Sequence, residues 1–124
     1  MLCCVALSAA ACHRQDSQLK QHSEKFTSLR ATSAAVGEAW LAGDVSGTYA
    51  YTALEQTFRL VEQERTALAA SPQPLLDPRG AALSQAAERH SRLLALMMHD
   101  VRGADAAAAR RHLADISAVG TDSP

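Results

Sequence analysis

The widest apolar face in the chain lies between Leu83 and Val101. Leu83, Ala86, His90, Leu94, Met97 and Val101 recur at steps of three and four, and Ala87, Leu93 and Met98 broaden the stripe. Asp77 can cap the first orphan amides, and Pro78 follows where a missing N–H costs nothing. At the far end, Gly103 can take the left-handed conformation that stops a helix. The spacing predicts one continuous helix from Asp77 to Gly103, with apolar neighbours on more than one side.

Earlier in the chain, Leu19, Phe26, Leu29, Val36 and Trp40 alternate by threes and fours, with His22 and Ser33 in the gaps. That heptad-like pattern predicts a helix from Ser17 to Leu41. Gly43 and Asp44 combine a helix stop with a cap, so the next helix doubles back as an antiparallel hairpin. A second helix is expected from Ser46 to Ala70. Tyr51, Leu54, Phe58, Val61 and Leu68 form its line, Ala50, Thr57 and Leu60 widen it, and Arg65 marks its edge. Glu62 and the i,i+4 pairs Glu55–Arg59 and Glu88–Arg92 read as solvated flanks. Pro72 and Pro74 make 71–77 a loop, from which Leu75 and Leu76 are expected to cover an end of the core.

Beyond Gly103 the stripe changes phase. Extending it would turn Ala104, Ala108, Arg111 and Asp115 inward, and two of these are charged. A new line of Ala106, Ala109, Leu113 and Ile116 starts after Asp105, a second capping residue. This predicts a fourth helix from Asp105 to Val119 folding back on the third; the alternative is three helices, the last long and kinked at Gly103. No strand-like alternation of useful length occurs. The expected fold is an all-α, up-down bundle of four helices.

A chain of 124 residues, 48% hydrophobic but only 4% aromatic, suits one such domain. Its 12 basic and 13 acidic residues are interspersed, giving a formal net charge of −1. With no basic block to track phosphates, nucleic acid is not an expected partner.

The segment from Met1 to Cys12 is apolar or small throughout, and Ala9, Ala10 and Ala11 precede Cys12. Twelve residues are too few to span a bilayer, which needs ~20. The segment resembles a bacterial export signal ending in a lipobox, the motif in which a cysteine is lipidated after cleavage on its N-terminal side; Ala9 stands where lipoboxes usually carry Leu. The resemblance implies that Cys12 carries lipid at the start of the mature chain, that Cys3 and Cys4 leave with the signal, and that residues 13–124 form the mature domain. It also implies a place on the periplasmic side of a bacterial cell envelope, held at the membrane through Cys12. The alternative is a cytosolic helical protein whose hydrophobic N-terminus stays in place.

Five histidines in a helical chain raise the question of a metal or haem. Paired Glu-x-x-His motifs and Cys-x-x-Cys-His are both missing. His22 and His90 sit on apolar stripes at heights that differ by roughly 12 Å, from the helical rise per residue, so they read as core histidines without a common ligand. Met97, Met98, His99 and His112 form the remaining candidate for a metal or haem site. Their competing role is packing against Trp40, Tyr49 and Tyr51, since thioethers sit well on aromatic edges. No nucleophile with a base, no close carboxylate pair and no phosphate loop stands out; Ser91 faces away from His90. The expectation is a protein without enzymatic activity or cofactor, acting as a binding or structural component with an unidentified envelope partner. A metal or haem carrier is the alternative.

Overall fold

The computed structural model describes residues 3–70 and 77–120. They form four helices: α1 Cys3–Leu41, α2 Gly47–Ala70, α3 Pro78–Arg102 and α4 Ala106–Ala118. The helices run up and down around one core. Neighbours in the ring are α1 with α2, α2 with α3, α3 with α4 and α4 with α1, while α1 and α3 also meet across the short diagonal. The fold is the expected all-α four-helix bundle.

The local signals for starts and stops work as the chemistry dictates. The Asp77 carboxylate accepts from the Arg79 amide at 2.9 Å with Pro78 between them, and the Asp105 carboxylate accepts from the Ala108 amide at 3.0 Å. Ser46 caps α2 by accepting from the Tyr49 amide at 3.1 Å. At the end of α1, Gly43 lies at φ 79°, its amide donating to the Trp40 carbonyl and the Asp44 amide to the Ala39 carbonyl. This double closure satisfies the last carbonyls of the helix.

The end of α3 uses the same closure with a different residue. Gly103 keeps a helical φ of −84°, and Ala104 takes the left-handed position at φ 53°. The Ala104 amide reaches the Val101 carbonyl at 3.2 Å and the Asp105 amide the Asp100 carbonyl at 2.8 Å. The turn between two helices is therefore where the phase shift put it, but the glycine is not the residue that turns. The helix continues one residue further because the second bond of the closure is made by Asp105, the residue that also caps α4.

Three other expectations change. Helix α1 begins at Cys3, not at Ser17: nothing between 3 and 36 is Gly or Pro, so the alanine-rich segment continues the helix without a break. Leu60 is 48% exposed, because α2 contacts its neighbours along the line Ala50, Leu54, Thr57, Val61 and Leu68, and Leu60 is one step off it. Tyr49 is also exposed, whereas Tyr51 lines a small surface pocket together with Met98. Leu75, Leu76 and the tail from 121 lie outside the described residues.

The core runs the length of the bundle. Leu54, Val61 and Leu68 from α2 meet Leu94, Met97 and Val101 from α3, with Leu19 and Phe26 from α1 and Ile116 from α4 closing the sides. Gly37 lets α1 approach closely: a Cβ there would lie 2.8 Å from Met97 Cε and 3.2 Å from Leu113 Cδ1. Among the described residues, no buried side-chain nitrogen or oxygen lacks a partner.

Candidate functional site

The seam between α1 and α3 has two sides. On one, α2 packs along it with 24 residues; on the other, α4 has only 13 residues against the 25 of α3. Helix α4 starts at the Gly103 end, and its C-terminal Val119 lies beside Arg30, whose guanidinium donates to the Val119 carbonyl. From there to the Asp16–Arg79 ion pair at 2.6 Å, no fourth helix lies over the seam among the described residues. What remains is a groove of about 660 Å³.

Its floor is apolar: Leu19 and Phe26 from α1, Leu83, Ala86 and Ala87 from α3, and Val119 at the closed end. The rim is polar, with Asp16, Lys20, Ser23 and Thr27 exposed along α1 and Arg79 exposed on α3. These residues belong to the two predicted stripes, but only the premature end of α4 leaves them uncovered. Arg30 fixes that end, since a cationic side chain favours the carbonyl end of a helix. Gly120 lies at φ 83°, and a Cβ there would lie 2.5 Å from Arg30 Nη1.

His90 is the polar group in the floor, 2% exposed. Its Nε2 lies 3.0 Å from the Ser33 hydroxyl oxygen, while that hydroxyl donates to the Leu29 carbonyl at 2.8 Å. A serine has one proton, so the oxygen accepts from the Nε2–H of the imidazole. Burial, and secondarily the Arg30 charge, push its pKa down to about 4. At the open end, the Arg79 guanidinium sits between Asp77 and Asp16 at 2.7 and 2.6 Å. The Arg79 bonds hold the Asp77 carboxyl below its usual range, and the two carboxylates keep Arg79 fully charged.

His22 is separate from this site: its Nδ1 pairs with Glu64 of α2 at 3.1 Å. The two stripe histidines thus have different partners on different neighbours. Met97 is fully buried in the core, whereas Met98 and His99 line a small surface pocket of about 230 Å³ with Tyr51, Phe58, Ala95 and Arg102. Arg102 stacks there on the Tyr51 ring at 4.3 Å. His112 faces elsewhere, its Nδ1 lying 2.5 Å from Asp100 Oδ2. Met97, Met98, His99 and His112 are therefore divided between the core, the α2 side and the α4 side. Among the described residues, no three His, Cys, Asp or Glu side chains are grouped closely enough to hold a metal ion.

Three polar residues with structural roles are not visible as such in the stripe pattern. Asp100 is 4% exposed and ties α3 to α4 through His112. Ser91 is also buried, and donates to Glu62, which takes a second bond from Arg65 at 2.6 Å. Glu62 is thus no idle solvated flank; the Ser91 bond, aided by Arg65, outweighs burial and keeps its carboxyl below the usual range. Arg30 is the third. The i,i+4 and i,i+3 rules find partners within a helix, and the long-range partners of these residues depend on how helices are rotated against one another. Cys12 lies in the backbone of α1, and its side chain is outside the described residues.

No protein-family model, curated protein or solved structure matches this chain.

Proposed function

We propose that this is an exported, lipid-anchored bundle of a bacterial cell envelope that acts without catalysis, by binding another envelope component in the α1–α3 groove. The observation that carries the binding reading is the groove itself: an apolar floor with a polar rim, of a size typical of ligand sites. The address rests on the lipobox-like run up to Cys12. Cys12 precedes by about one helical turn the residue, Asp16, that lines the open end of the groove. A lipid on Cys12 would hold that open end near the membrane surface. More than one acyl chain on such a cysteine gives stable anchoring, where one chain binds only reversibly. No described helix is long and apolar enough to cross a membrane by itself.

Mass spectrometry of the native N-terminus tests the address. The expected result is a mature chain that starts at a lipid-modified Cys12, with Cys12→Ser either unprocessed or released from the membrane fraction. An intact Met1 would overturn the export reading; an unmodified Cys12 at a cut terminus would remove the anchor. The unbroken α1 from Cys3 favours a second reading, a cytosolic protein that retains this segment, and the same spectrum separates the two.

A further inference from the structure

We propose that the groove accepts one amphipathic helix of a partner protein, about three turns long, with a small-residue apolar face and acidic flanks. The inference rests on the binding reading above and names the class of partner. Its first support is the architecture. Helix α4 already occupies the lower half of the same seam, packing Ala108, Ala109, Ile116 and the following Val119 between α1 and α3. The upper half has the same two walls and, among the described residues, no helix. From Arg79 to His90 the α3 wall rises ~16 Å, the length of an eleven-residue helix. An incoming helix would extend the α4 side of the bundle to match α2 on the other.

The second support is the distribution of polarity. Leu19 and Phe26 on α1 and Leu83, Ala86 and Ala87 on α3 form two apolar rails along the slot. Ser23 and Thr27 lie outside them on the α1 wall and are exposed. A helix presents its own polar flank to these exposed hydroxyls, which an acyl chain lying between the rails would leave facing water. Alanines on α3 allow the close backbone approach that α4 makes lower down.

Charge supplies the third support and sets the flank chemistry. Of the cations lining the slot, Arg79 is paired with both Asp16 and Asp77 and Arg30 donates to the Val119 carbonyl, which leaves Lys20 on the rim. Lys20 makes no ion pair among the described residues, so an acidic side chain on the partner helix has a cation to meet. Such rim charges steer encounter and choose between partners more than they add affinity.

The test uses the full chain and a fluorescein-labelled, hydrocarbon-stapled twelve-residue peptide with Ala and Leu on one face and Glu on both flanks. A Lys-flanked counterpart and dodecanoate serve as the other probes. Fluorescence anisotropy is expected to show saturable binding of the Glu peptide, at least tenfold tighter than of the Lys peptide. Ala82→Trp, at an exposed position on the α3 wall, is expected to weaken binding at least tenfold with unchanged circular dichroism; Ser23→Trp on the opposite wall does the same should Ala82→Trp fail to fold. Lys20→Glu should narrow the preference for acidic flanks.

Absence of saturable Glu-peptide binding, or binding indifferent to both tryptophan variants, overturns the proposal. So does dodecanoate binding that the variants abolish without any peptide binding, which assigns the slot to an acyl chain, or a concentration-dependent dimer that they abolish, which assigns it to a second copy. None of these outcomes alters the mass of the native N-terminus, so the address and the partner class fail separately.

Discussion

Exchanging the roles of Gly103 and Ala104 tests how α3 ends. Ala104 holds a left-handed backbone at φ 53°, where an L side chain crowds the adjacent carbonyl at a cost of ~1–2 kcal/mol. Glycine removes that crowding but loses more freedom on folding, by roughly 0.5–1 kcal/mol. Ala104→Gly is therefore expected to stabilise the protein by ~0.5–1 kcal/mol, the difference of those two effects. The turn itself is retained, because both bonds of the closure are made by backbone groups.

Gly103→Ala is expected to act in the same direction for a different reason. Gly103 has a helical φ of −84°, and a Cβ built on it meets only the His99 and Asp100 carbonyl oxygens, at 3.5 and 3.9 Å. Alanine fits there without strain and lowers the entropy of the unfolded chain, for a gain of ~0.4–1 kcal/mol. Urea unfolding of the parent, the two single variants and the double variant reads this as a higher midpoint at unchanged slope. A lower midpoint for Gly103→Ala, with Ala104→Gly neutral, would mean that the glycine is the left-handed residue, as its position in the sequence alone implies, and would refute the reasoning.

Three further outcomes follow from the packing and the buried polar groups. Leu94→Ala, at a fully buried position in the middle of α3, is expected to cost ~2–5 kcal/mol in denaturant unfolding. Glu62→Ala should cost ~1–2 kcal/mol, and Ser91→Ala together with it less than the two separately, because the first change strands the buried Ser91 hydroxyl. His90 makes stability fall in weak acid. The unfolded chain takes up its proton near pH 6.5 while the fold keeps it neutral down to about 4, so between these values the unfolded state binds more protons. The contribution, ~3 kcal/mol, is fully present above pH 6.5 and lost by about pH 4; His90→Gln should flatten this part of the pH profile measured by unfolding, and an unchanged profile would contradict the buried, neutral imidazole.

The sequence by itself determined the class of fold and most of the helix ends, and favoured four helices over three. Those features depend on information within a few residues: the three-four spacing of Leu83 to Val101, the caps at Asp77 and Asp105, and the change of phase after Gly103. Backbone hydrogen bonding and side-chain periodicity act over one or two turns, so their signals survive in a single chain. Tertiary structure decided the rest. That Ala104 turns in place of Gly103 depends on Asp105 closing back on Asp100. That Ser91 and Asp100 are buried and Leu60 exposed depends on the rotation of each helix against its neighbours, which a stripe defines only to within a residue. The groove is the clearest case. Every residue of its floor reads as ordinary core, and only the height at which α4 stops, with Arg30 holding its last carbonyl, determines which part of that core is left open.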